Sequence, residues 1–144
     1  MTEVAFHFNA PDSLGYACRL LRKAVGGGAK VVVTGPTETL QELDVLLWTF
    51  SATDFVPHCM ADSDTQVVAA SPVILSTSIA AVPHQQVLLN LGVSVPEGFD
   101  RFDRVIEIVG QETQERQLAR ARWKHYTDLA YTITRHDLTL KTPA

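Results

Sequence analysis

Between residues 31 and 100 the sequence contains no Lys or Arg, against eight acidic side chains. A stretch of that length without a cation argues against a phosphate-binding surface in the middle of the chain, and the formal net charge of −4 argues against a broad one elsewhere. Cysteine is scarce as well. Cys18 and Cys59 are too few and too far apart for a disulfide framework or a thiolate metal site, so two free thiols are expected. No run of about eighteen uncharged apolar residues has the flanks of a membrane-spanning helix. The opening Met1-Thr-Glu-Val-Ala-Phe6 lacks the basic and apolar regions of a secretion signal, which places the expected location in the cytoplasm.

What is present suits one globular domain over residues 1–144, since 46% apolar content is enough to build a single sizeable core. Val4-Ala-Phe-His-Phe8 alternates like a strand. After Pro11-Asp-Ser-Leu14, the residues Leu14, Ala17, Cys18, Leu21 and Val25 recur with a helical period, and Gly26-Gly27-Gly28 ends that run. Val31-Val-Val33 predicts a strand buried on both faces, and a second helix runs through Leu40, Leu43, Leu47 and Trp48. Further strands are expected at Val67-Val68 with Val73-Ile-Leu75, at Gln86 to Leu91 and at Arg104 to Val109, before a long last helix. The alternation predicts an α/β fold with an open, mostly parallel, Rossmann-like sheet and helices on both faces.

Such folds often hold a nucleotide, but this sequence lacks the means. A dinucleotide fingerprint needs glycines after a strand and at the start of a helix, whereas Gly26-Gly27-Gly28 precedes its strand. The turn Thr34-Gly-Pro-Thr-Glu38 has one glycine, no phosphate-binding lysine, and a carboxylate where a phosphate would sit. No cofactor is expected. The five histidines, His7, His58, His84, His125 and His136, sit in no local metal or nucleophile signature, and no Gly-x-Ser-x-Gly elbow occurs. Catalytic and metal-ligating residues are therefore expected to be absent. The enzymatic alternative is a cleft assembled from dispersed residues such as Asp54, His58, Asp62 and His84.

Two stretches carry recognisable binding chemistry. In Arg116-Gln-Leu-Ala-Arg-Ala-Arg-Trp-Lys-His-Tyr126, the residues Arg116, Arg120, Trp123, Lys124 and Thr127 share about a third of a helix circumference. An indole beside guanidinium and ammonium groups suits a peptide with carboxylates and a large apolar side chain. The same pattern also describes a solvated helix face, or a stacking surface for single-stranded DNA. Arg122 projects toward the core side of that helix and is expected to snorkel to its edge. In Leu46 to His58, the residues Trp48, Phe50 and Phe55 concentrate aromatic surface at a helix end and its loop, and Pro57 holds Val56 extended. Such a cluster is either core or an anchor for a partner.

The order of elements, the Trp48 to His58 segment and the Arg116 to Tyr126 helix together resemble the chi subunit of bacterial DNA polymerase III holoenzyme, over nearly the whole chain. The resemblance implies a non-catalytic accessory subunit with a Rossmann-like fold and no nucleotide. It implies two partners: the psi subunit, which joins the clamp-loader complex, and the acidic C-terminal tail of single-stranded DNA-binding protein. Carried over by position, Arg116, Arg120, Trp123 and Lys124 would receive the tail, with Arg120 on its terminal carboxylate. Trp48, Phe55, Val56 and Pro57 would meet psi. Thr127 departs from the pattern, because a further basic residue is expected there in some relatives. On this resemblance, nucleic acid is reached only indirectly and no membrane is involved.

Overall fold

The computed structural model of the chain describes residues 2–49, 56–80 and 82–138. Its strands are β1 (Glu3–Ala10), β2 (Val31–Thr34), β3 (His58–Met60), β4 (Val73–Ser76), β5 (Val87–Asn90), β6 (Arg104–Gly110) and β7 (Ile133–Asp137). The helices are α1 (Ser13–Gly26), α2 (Thr37–Thr49), α3 (Thr65–Ala70) and α4 (Thr113–Asp128). All seven strands form one parallel sheet in the order β3-β4-β2-β5-β6-β1-β7. The expected open α/β sheet is present. Two strands go beyond the sequence reading, β3 and β7, and they form its two edges.

Local chemistry sets the boundaries. The Asp12 carboxylate accepts the Gly15 N–H at 3.1 Å and caps α1, and Gly28 continues the chain after α1 at φ 86°, a left-handed conformation open to glycine. Val67 and Val68, expected in a strand, lie in α3. Their β-branching favours a strand, but Asp64 accepts the Gln66 N–H at 2.9 Å and supplies an N-cap that starts a helix. Gly35 is explained by packing, since a Cβ there would lie 3.2 Å from the Cβ of Leu91.

The sheet is covered on both faces. On one, Ala17, Cys18 and Leu21 of α1 and Leu40, Leu43 and Leu47 of α2 pack on Val31, Val33, Leu75 and Ile106. Both cysteines are free and buried, Cys18 on this face. On the other face, Ala119 and Tyr126 of α4 pack with Phe99 and Phe102 on Val4, Phe6, Val32, Leu88 and Val105.

A charged cluster lies inside this second layer. Glu107, in the middle of β6, is fully buried; it accepts from Arg122 Nε at 2.9 Å, Tyr126 Oη at 2.7 Å and Asn90 Nδ2 at 2.9 Å. Arg122 also donates to the Val93 carbonyl at 3.2 Å. Arg122 thus does not snorkel, which corrects the expectation above. Its charge is retained in the core because a carboxylate and a carbonyl occupy its donors, so desolvation is offset by two directed contacts. Burial pushes the Glu107 carboxyl up, and the Arg122 guanidinium opposes that shift, followed by the donors from Asn90 and Tyr126.

Candidate functional site

The orientation of α4 decides which residues face outward. The Glu115 carboxylate, in the first turn, accepts the Gly110 N–H at 2.6 Å and ties the helix start to the end of β6. Ala119, Arg122 and Tyr126 are the buried residues of α4, spaced three and four apart. That phase turns Arg116, Arg120 and Trp123 along the flank facing β1 and β7.

These three side chains line one groove of about 500 Å³ with Phe8 and Asn9 of β1 and Arg135 of β7. The Trp123 indole forms its wall, half-buried, with its ring centre 5.0 Å from that of Phe6. The Arg135 guanidinium lies 5.8 Å from the centre of the same indole, within cation–π range. Among the described residues no Asp or Glu lines the groove. Arg120 and Arg135 make no ion pair among the described residues, so two guanidinium groups face it uncompensated.

Arg116 is held in place. Its Nη2 donates to Asn9 Oδ1 at 2.7 Å, and Asn9 Nδ2 donates to Asp137 Oδ1 at 3.0 Å. Asn9 sits at φ 62°, where the register of β1 against β6 is interrupted between His7 and Ala10. Asparagine tolerates the left-handed region better than most residues, and here that conformation aims its amide at both neighbours.

The remaining members of the sequence stripe behave differently. Lys124 lies outside the groove; its Nζ pairs with Asp128 at 3.0 Å, with both side chains largely exposed. Thr127 returns its hydroxyl to the Trp123 carbonyl at 2.9 Å. Arg135 and Phe8 were not found from the sequence. The faint signal was Thr132-Ile-Thr-Arg-His136, a β-branched alternation after the last helix.

The second candidate surface lies on α2. Leu40, Leu43 and Leu47 point into the core, which leaves Val45 at 60% and Trp48 at 61% exposure, with Leu46 beside them. Trp48 meets the His58 ring with centres 5.3 Å apart. His58 in turn contacts Asp44 Oδ1 at 3.0 Å through Nε2 and the Val56 carbonyl at 2.6 Å through Nδ1. Pro57 is exposed, whereas the Val56 side chain is buried in the core and offers no surface. Phe55 lies outside the described residues. So does Asp54; of the other residues considered for a catalytic cleft, His58 is engaged with Asp44, Asp62 is exposed in the turn after β3, and His84 is partly buried in the segment before β5. Among the described residues no group of three or more His, Cys, Asp or Glu is arranged to hold a metal ion.

Residues 1–134 match the family model described as DNA polymerase III chi subunit, HolC. The chain is similar to the DNA polymerase III subunit chi of Pseudomonas aeruginosa, 35% identical over 143 residues, covering 96% of this chain and 98% of that one. It is also similar to the subunit of the same name from Haemophilus influenzae, 27% identical over 110 residues and 75% of each chain. With a matching family model over most of its length and a relative of that name aligned nearly end to end, the chain belongs to the DNA polymerase III chi subunit family.

Proposed function

We propose that the groove between α4 and β7 receives the acidic C-terminal tail of single-stranded DNA-binding protein, and that the exposed face of α2 binds the psi subunit. The chain then serves as a non-catalytic link between the clamp-loader complex and protein-coated single strands. The observation that carries this reading is the meeting of Arg116, Arg120, Trp123 and Arg135 around one cavity with no acidic lining residue among those described. In an otherwise acidic protein, such a site favours an anion. The indole and Phe8 add an apolar wall that an inorganic ion would not use. Arg120 engages the terminal carboxylate, Arg116 and Arg135 attract the acids upstream, and Trp123 walls the slot for the last apolar side chain. Arg135 supplies from a strand the cation that Thr127 does not supply from the helix.

The test is a pair of synthetic acidic peptides ending in Phe, one with a free carboxylate and one amidated, titrated against the intact chain. The free acid is expected to bind at least tenfold more tightly, because amidation removes one partner of a charge-assisted contact. Equal affinities would refute terminal-carboxylate recognition.

For psi, Trp48→Ala is expected to cost about 2 kcal/mol or more of binding, the range of a central aromatic anchor. Its thermal stability should change little, since most of the ring is already in water. Retention of native affinity for psi by a folded Trp48→Ala protein would remove α2 from the interface.

A further inference from the structure

β7 is the outermost strand on its side of the sheet, and the polarity of its backbone can be read from its bonds to β1. Val4 N–H donates to the Thr132 carbonyl at 3.4 Å, and Leu138 N–H donates to the Phe8 carbonyl at 3.0 Å. The register between these bonds is unbroken, from Val4 opposite Ile133 to Phe8 opposite Asp137. In a parallel ladder the N–H and C=O of one residue point to the same side, and successive residues alternate. The peptide groups of residues 132, 134, 136 and 138 therefore face β1. Those of Ile133 and Arg135 face away from the sheet, and neither is bonded to a described residue.

Two of the usual protections are missing from this edge among the described residues. β7 contains no proline, and its pairing with β1 has no bulge. It is also continuous with the groove, because Arg135 presents its side chain to the cavity beside Trp123 and its peptide group to the open edge.

We infer that an extended acidic peptide adds to β7 as an eighth strand, pairing with the outward N–H and C=O groups of Ile133 and Arg135 while its end occupies the groove. This rests on the reading of the groove as a tail receptor and specifies how the tail is held. Backbone pairing supplies affinity that does not depend on which acid stands where, and the groove supplies selectivity. The alternation of a strand has a further consequence. Every second side chain of the added peptide falls on the side of Arg135 and Trp123, and the others fall on the side of Thr134 and His136. Carboxylates therefore count at alternate positions only. Charge also selects the occupant: two β7 edges paired symmetrically about Arg135 would set two guanidinium groups opposite each other, whereas an acidic segment is complementary.

The experiment is an N-methyl scan of the free-acid peptide against the intact chain, with Arg120→Ala measured in parallel. N-methylation removes one amide donor and leaves the side chains unchanged. The expected result is a two-residue rhythm, with affinity falling about tenfold or more at alternate amides and little changed between them. On the protein side, Arg135→Pro should bind more weakly than Arg135→Ala, because only the former also removes the outward N–H. Proline is tolerated at such an edge position, and thermal melts of both variants report retained folding. If Arg135→Pro does not fold, the peptide series decides alone. A flat N-methyl scan together with a strong loss in Arg120→Ala would overturn strand addition and leave the groove reading standing. Wild-type binding by both Arg120→Ala and Trp123→Ala would overturn both.

Discussion

Arg120→Ala is expected to lower affinity for the free-carboxylate peptide by more than tenfold, Arg135→Ala to do so to a similar extent, and Lys124→Ala to change it little. Truncating one partner of a desolvated charge pair costs about 2–5 kcal/mol, largely because the other charge is left without a partner. Arg120 and Arg135, exposed in the free chain, meet that condition only with a peptide seated in the groove, where no acid among the described residues pairs with them. Lys124 does not, since its ammonium pairs with Asp128 in an exposed contact that salt screens. Trp123→Ala should weaken binding at every ionic strength, because apolar contact is not screened. Fluorescence anisotropy across a salt series measures all four variants. Thermal melts separate a lost slot from a loosened helix, since the indole also packs on Phe6. Wild-type affinity in folded Arg120→Ala and Trp123→Ala would return α4 to being an ordinary charged helix.

The largest stability effect is expected at Arg122. Arg122→Ala should cost about 3–5 kcal/mol at neutral pH, because it leaves the buried Glu107 carboxylate without its counter-charge. Replacing the pair together, as Glu107→Gln with Arg122→Met, should cost much less, since no uncompensated charge remains. The pH dependence follows from the direction of the Glu107 shift. Burial already raises that carboxyl and Arg122 lowers it, so the single variant raises it further. A carboxyl raised in the folded state binds its proton more tightly there than in the unfolded chain. Stability is then favoured at low pH and lost as pH rises through the folded-state value. The deficit of Arg122→Ala against wild type should therefore narrow at mildly acidic pH. Urea denaturation at both pH values checks this, and a deficit that widens on acidification would contradict the assignment.

The strands buried on both faces were the easiest part to read. Val31-Val-Val33 and Val73-Ile-Leu75 announce themselves by continuous apolar character, which only a covered parallel strand needs. The edges were illegible for the same reason. Ile133-Thr-Arg-His-Asp137 has one neighbour strand and partly wet faces, so nothing compels an apolar alternation, and β3 is only three residues long.

The helical stripe gave Arg116, Arg120 and Trp123 correctly as a shared face, because spacing on one helix is a local property. It could not give Arg135, which arrives from another element, nor separate Lys124 from the groove. Arg122 is the instructive failure. Its partner Glu107 lies fifteen residues earlier, and the signal was an acid set between Val105-Ile106 and Ile108-Val109, where no strand tolerates a carboxylate without a cation nearby.

The strand order gives the molecule the character of a ruler. The apolar face of α2 lies by β3, where Trp48 touches His58, and the cationic groove lies by β7, at the opposite end of the sheet. Seven strands leave six spacings, and at about 4.8 Å each the two margins stand about 29 Å apart. Hydrogen-bonded strands resist stretching along that line. Whatever is gripped at one margin is thus kept at a set reach from whatever is gripped at the other, without a flexible tether between them, and neither needs to vacate its place for the other to dock.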